Sequence, residues 1–172
     1  MQTGQNEHGH LVAVLSNPPT TSGARTLARV ELARELLGFE SSAIVNLFPL
    51  PTFRSGEIAR AGKDSSTWLA GRFAIDAALR SADGVLLAYG STPPSGPARL
   101  HFQSQVSWMH TVMAQIGLLT WMVGNRPAHP SRWQRHTHAC HPNIPFKEAL
   151  AHSLVVHFVP SRHADPLAFE GD

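Results

Sequence analysis

Residues 11–20, Leu11-Val12-Ala13-Val14-Leu15-Ser16-Asn17-Pro18-Pro19-Thr20, decide the fold class. An unbroken apolar run too short for a helix and stopped by two prolines reads as a strand buried on both faces. Such strands belong to parallel sheets that helices cover on both sides. Working outward, Ser22 stands where it can cap a helix on which Leu27, Val30, Leu36 and Leu37 recur at helical spacing, and Gly38 supplies the stop. A second apolar run, 43–47, ends in Phe48-Pro49-Leu50-Pro51. Residues 52–66 read as an irregular connection, and 67–81 as one helix carrying Leu69, Phe73, Ala77 and Leu79 on a stripe. A third run at 84–89, a Gly/Ser/Thr/Pro loop at 90–97, a helix with Val106, Met109, Met113 and Ile116, and a fourth run at 118–123 complete the alternation. The expectation is an α/β protein, a three-layer α/β/α sandwich on a central, mostly parallel four-stranded sheet. One domain spans 1–163, residues 154–159 are a candidate edge strand, and the acidic tail 164–172 is expected to be disordered.

Composition narrows the function classes. At 172 residues, 42% apolar and 15% charged, the chain can bury one ordinary core. No run of about 18 apolar residues occurs, so no membrane span or membrane partner is expected. The polar first ten residues do not read as a secretory signal, which makes the cytoplasm the expected location. The single Cys140 excludes an internal disulfide and a four-cysteine metal site within one chain.

Charge is uneven. Residues 1–95 carry eight Lys/Arg against eight Asp/Glu, whereas 96–163 carry six (Arg99, Arg126, Arg132, Arg135, Lys147, Arg162) against Glu148 alone, together with nine of the eleven histidines. Twelve of the fourteen basic residues are Arg, the side chain suited to bidentate contact with phosphate. A genome rich in G and C would also raise Arg, but it does not account for the position of the charge.

In a doubly wound sheet ligands bind beyond the carboxyl ends of the strands, so the loops after the apolar runs are the place to look. They read Ser16-Asn17-Pro18-Pro19-Thr20, Asn46-Leu47-Phe48-Pro49-Leu50, Tyr89-Gly90-Ser91-Thr92, and 124–133 with Ala128-His129-Pro130-Ser131 inside. No Gly-x-Gly-x-x-Gly and no P-loop pattern occurs, which removes the usual nucleotide-binding readings. The ordered set of Asn-Pro, Asn-Leu-x-Pro-Leu, a Leu-x-x-Gly third run and His-Pro-Ser resembles the uracil-DNA glycosylase superfamily over about residues 11–137. With Arg126-Pro127-Ala128-His129-Pro130 it is similar to a bacterial branch of that superfamily long catalogued as a domain of unknown function.

The resemblance implies a DNA glycosylase with DNA as partner; no lysine sits in the site loops, so a monofunctional enzyme is expected, with no cofactor or metal, and a monomer is the expected state. Hydrolysis of an N-glycosidic bond leaves charge on the sugar and on the departing base, so the site must position a water and offer a donor to the base. Asn17 matches the water-holding position, as an amide where the fastest relatives carry Asp, and His129 the donor to the base oxygen. Asn46 matches the residue that reads the Watson–Crick edge, its amide both donor and acceptor. Pro19 stands where uracil-specific relatives place an aromatic ring that excludes C5 substituents. With Thr20, Thr21, Ser22 and Gly23 behind it, that side is expected to admit a C5-substituted pyrimidine such as thymine or hydroxymethyl- or glucosyl-hydroxymethylcytosine, in repair or in attack on modified phage DNA. Phe48 is a candidate for stacking on the base. Ser131, Arg132, Trp133 and Arg135 match the loop that enters the minor groove, the arginines for phosphates and Trp133 for the vacated stack.

Two other readings use the same residues. His136, His138, Cys140 and His141 form a short loop of metal-ligand types, which would suit a zinc-dependent hydrolase. A non-catalytic α/β module that binds nucleic acid through the basic half would need neither Asn17 nor His129 for affinity. Asn beside a strand end also closes ordinary Asx turns.

Overall fold

Strand β1 (His10–Leu15) pairs in parallel with β2 (Ser41–Asn46) on one side and with β3 (Gly84–Leu87) on the other. β4 (Leu119–Val123) continues the parallel sheet beyond β3, and β5 (Leu154–Phe158) closes the edge antiparallel to β4, giving the order β2-β1-β3-β4-β5. The computed structural model describes residues 9–52 and 55–158. The α/β class is therefore as expected, but the sheet has five strands rather than four. The fifth is the candidate edge segment, and it returns antiparallel because two short helices, not one long crossover, connect it to β4. The tail at 164–172 lies outside the described residues.

Each face of the sheet follows from the period-two pattern of β1. Val12 and Val14 enter one core with Val85, Leu87 and Met122, covered by α2 (Ser55–Ala61), α3 (Ser65–Ala70), α4 (Arg72–Arg80) and α5 (Ala98–Ile116). Leu11, Ala13 and Leu15 enter the other with Leu86 and Val123, covered by α1 (Ala24–Leu37), α6 (Pro130–Cys140) and α7 (Phe146–Ser153). Right-handed crossovers require this division. The chain moves from β1 to β2 in one direction and from β2 to β3 in the other, so the connecting helices fall on opposite faces. The reversal places a switch point between β1 and β3, and a crevice at their carboxyl ends.

Three local expectations are corrected. Ser22 is not the N-cap of α1: Gly23, at φ 64°, takes that place without a side-chain cap, and the Ser22 hydroxyl only reaches the Ala24 N–H at 3.5 Å. The connection at 52–66 contains α2 and the start of α3. The expected helix over 67–81 is two helices, broken at Gly71, whose N–H bonds back to the Trp68 carbonyl in a tight turn. Among the described residues no helix is long and apolar enough to cross a membrane.

One buried polar side chain ties the second strand to the helical layer. Gln105 on α5 is fully buried, donates from Nε2 to the carbonyls of Leu47 (3.1 Å) and Trp68 (3.0 Å), and accepts at Oε1 from Arg72 Nε (2.9 Å). The Arg72 guanidinium also lies 4.7 Å from the Trp108 ring centre. Gln105→Leu would take the side-chain donor from the buried Leu47 carbonyl and the acceptor from Arg72 Nε, while the Trp68 carbonyl keeps the Gly71 N–H, a loss of about 1–3 kcal/mol. Urea unfolding of the variant checks this, and an unchanged midpoint would contradict the role assigned to Gln105.

Candidate functional site

Backbone pairing between the β1 and β2 segments does not stop with the strands. In register Leu15 stands opposite Asn46. The Leu47 N–H then bonds to the Leu15 carbonyl (2.9 Å), Phe48 N–H to Ser16 (2.8 Å) and Thr52 N–H to Pro18 (3.4 Å). The loops after β1 and β2 are thus stitched to each other, and on the far side the Gly90 N–H bonds to the Pro127 carbonyl (2.6 Å), joining the loops after β3 and β4. Between them opens a cleft of about 870 Å³. Asn17, Pro19, Asn46, His129, Ser131 and Arg132 all line it, although they come from segments up to 115 positions apart in a 172-residue chain.

Asn17 is fixed through its amide nitrogen. Nδ2 donates to the Thr52 hydroxyl (2.8 Å) and to the carbonyls of Thr52 and Pro18 (both 3.1 Å). Carbonyl oxygens only accept, so these contacts assign the nitrogen and leave Oδ1 as the acceptor, with no hydrogen bond to it among the described residues. An immobilised amide oxygen at the rim of a cleft is suited to holding a water.

His129 is held just as firmly, by helix capping. It is the N-cap of α6 with Pro130 at the first helical position, and its Nδ1 accepts from the Ser131 N–H at 3.2 Å and from the Ser131 hydroxyl at 2.9 Å. With Nδ1 occupied as an acceptor, the neutral ring carries its proton on Nε2. Burial pushes the imidazole below its ordinary pKa, and the nearby Arg132 and Arg29 push it the same way. The result is a neutral Nε2–H donor in the cleft, whose tautomer is set by the start of a helix.

The rest of the cleft wall is rich in hydroxyls from Ser16, Thr20, Thr21, Ser22, Thr26, Thr52, Ser91 and Thr92. Tyr89, half-buried and ringed edge-on by Phe102 at 6.0 Å, adds a phenol that burial keeps protonated. Sequence reasoning singled out neither Tyr89 nor Thr52. Position directly after a strand was the available signal for Tyr89, and nothing in the sequence marked Thr52 as the anchor of Asn17.

Other expected site residues are placed differently. Phe48 is fully buried in the α2–α5 core, 4.8 Å from the Trp68 ring, and does not line the cleft. Trp133 is also fully buried, packed in the other core, and its Nε1 donates to the Ala128 carbonyl at 2.7 Å. It anchors the backbone beside His129 and does not project toward a DNA groove, because α6 starts at Pro130 and turns this position inward. Ser131, Arg132 and Arg135 remain exposed. His136, His138 and Cys140 sit on helix α6, with His141 as its C-cap, instead of forming a loop. Helical spacing separates the four, only Cys140 Sγ and His136 Nε2 approach (3.9 Å), and no group of three potential metal ligands occurs among the described residues.

Comparisons with protein-family models, with curated proteins and with solved structures give no match. The likeness to the glycosylase superfamily therefore rests on the motifs quoted above.

The state of His129 can be read directly. Long-range 1H–15N NMR should show the Nε2–H tautomer at neutral pH, with protonation only at a pH below the ordinary histidine value. Because the folded-state pKa is depressed, the unfolded chain binds more protons in the window between the two values, so His129 makes stability rise with pH there and contributes no slope above it. An Nδ1–H tautomer, or titration above the ordinary value, would overturn this assignment.

Proposed function

We propose that this chain is a monofunctional DNA glycosylase that hydrolyses the N-glycosidic bond of a flipped-out, C5-substituted pyrimidine and leaves an abasic site. The observation that carries the reading is the convergence of Asn17, Asn46 and His129 on one cleft, with Asn17 presenting an acceptor and His129 a neutral donor. Water held by Asn17 Oδ1 attacks the anomeric carbon as the bond to the base breaks, the bonding electrons leave with the base, where the His129 Nε2–H stabilises the negative charge, and the proton shed by the water passes through solvent to the released base. Asn17 is a weak base, so the water is positioned more than activated, and the enzyme is slow and selective. Asn46, at the carboxyl end of β2, faces the edge of the base with both a donor and an acceptor. No lysine lines the cleft among the described residues, in keeping with hydrolysis without a Schiff base.

The size and chemistry of the cleft support a substituted base. Pro19 is exposed at the wall with Gly23 against it, and the threonine and serine hydroxyls lie behind. A volume of about 870 Å³ is near the upper end for small-molecule sites, beyond what a bare single-ring base fills. Hydroxymethylated or glucosylated cytosine matches such a wall better than uracil. Excision of such a base serves repair or defence against phages with modified DNA, in the cytoplasm, by a monomer.

Release of free base from oligonucleotides carrying uracil, mismatched thymine, hydroxymethylcytosine or its glucoside, followed by alkaline cleavage, tests the proposal. One C5-substituted substrate should yield abasic sites, with Asn17→Ala and His129→Ala each slowing single-turnover release by about 100- to 1000-fold. The rate should hold through neutral pH and fall only as acid protonates His129. No product on any substrate with DNA affinity intact in both variants would instead identify a non-catalytic binding module, and loss of product to a chelator would point to zinc.

A further inference from the structure

On the other side of Ser131 from the cleft lies a second groove, of about 560 Å³, between α1, α6 and α7. Its lining includes Arg25, Arg29, Arg135, His138 and His141, with Ser131 shared by both cavities. Among the described residues no Asp or Glu lines it. Arg34 is neutralised by Glu31 and Glu35 and Arg80 by Asp76, whereas no carboxylate pairs with Arg25, Arg29 or Arg135 among the described residues.

The cluster is also partly preorganised. Arg29 donates to the Pro130 carbonyl (2.5 Å) and to Gln134 Oε1 (3.2 Å), and its guanidinium stands 5.7 Å from the Phe146 ring centre. Arg25 is one turn earlier on the same helix, and Arg135 and His138 share one side of α6 at a spacing of three. Burial lowers the pKa of Arg29, and the like charge of Arg25 lowers it further. Positive groups held side by side without a counter-charge repel one another, and an anion seated among them removes that cost.

We propose that this groove is a phosphodiester subsite that holds the DNA backbone beside the nucleotide occupying the cleft. The guanidinium groups supply donors in the planar arrangement that phosphate oxygens accept, and the Gln134 amide nitrogen completes a polar wall. Because one residue, Ser131, separates the two cavities, a strand with a nucleotide in the cleft passes its neighbouring phosphate over the groove. The subsite rests on the reading of the chain as a DNA-acting enzyme, and it adds α1 and α7 to an interface that the sequence placed only after the fourth strand.

The test compares the full chain with the double variant Arg25→Gln/Arg135→Gln, two exposed positions, by anisotropy of a labelled oligonucleotide across a salt series. Two lost phosphate contacts should lower the slope of log affinity against log salt by about 1.4 on a single strand, with an unchanged thermal transition. An unchanged slope in the variant while the unsubstituted protein releases base would overturn the subsite and leave the glycosylase standing. A lowered slope with no base release would keep the subsite and remove the enzyme. In a parallel NMR titration, shifts around Arg25 and Arg135 with inorganic pyrophosphate but none with the oligonucleotide would overturn the backbone assignment in favour of a free phosphate ligand.

Discussion

The structure depends on β1 being buried on both faces and paired on both edges. Its register with β2 sets Leu15 level with Asn46, and the pairing runs on through Ser16 to Phe48, so the two asparagines of the cleft are fixed by main-chain hydrogen bonds. On the other edge β3 is in register from Leu11 with Gly84, and the Ala88 N–H bonds to the Val14 carbonyl beyond the strand. Side chains at such a sheet end need little further ordering, which is the condition for a site that acts by position more than by a strong base.

A single structural device, the start of α6, fixes the remaining group. Capping accounts for the presence of His129, Pro130 and Ser131 in that order, and it also sets the tautomer that a leaving base would need. Trp133 strengthens the same point from below, through its bond to the Ala128 carbonyl in the core. The helix that orients the donor also presents Arg132 to the cleft and Arg135 to the second groove. One short element therefore connects the chemistry of the cleft to the positive surface.

Much of this was legible in the sequence because it depends on local pattern. The apolar runs at 11–15, 43–47, 84–89 and 118–123 each fall on a strand, and the loop after each supplies cleft residues, Asn17 after the first, Thr52 after the second, Ser91 after the third and His129 after the fourth. What was not legible depends on packing between distant segments. Phe48 and Trp133 are aromatic residues beside site residues, and no local pattern distinguishes a ring that stacks on a ligand from one that fills the core; burial decided both. The break at Gly71 was hidden because Leu69, Phe73, Ala77 and Leu79 read as one stripe across it, whereas Leu69 and Phe73 are exposed and Trp68, Ile75 and Leu79 face the core. Arg29 reaches α6 from 101 residues earlier, and Thr52 reaches Asn17 from 35 residues later, contacts that only the fold creates.

The most direct measurement is a crystal structure of the protein with an oligonucleotide carrying a 2′-fluoro-substituted, C5-modified pyrimidine that resists hydrolysis. The nucleotide should be extruded into the cleft, with the Asn46 amide on the edge of the base, His129 Nε2 within hydrogen-bond reach of a base oxygen, and a water on Asn17 Oδ1. A duplex seated on another face, or a base left stacked with the cleft empty, would contradict this arrangement.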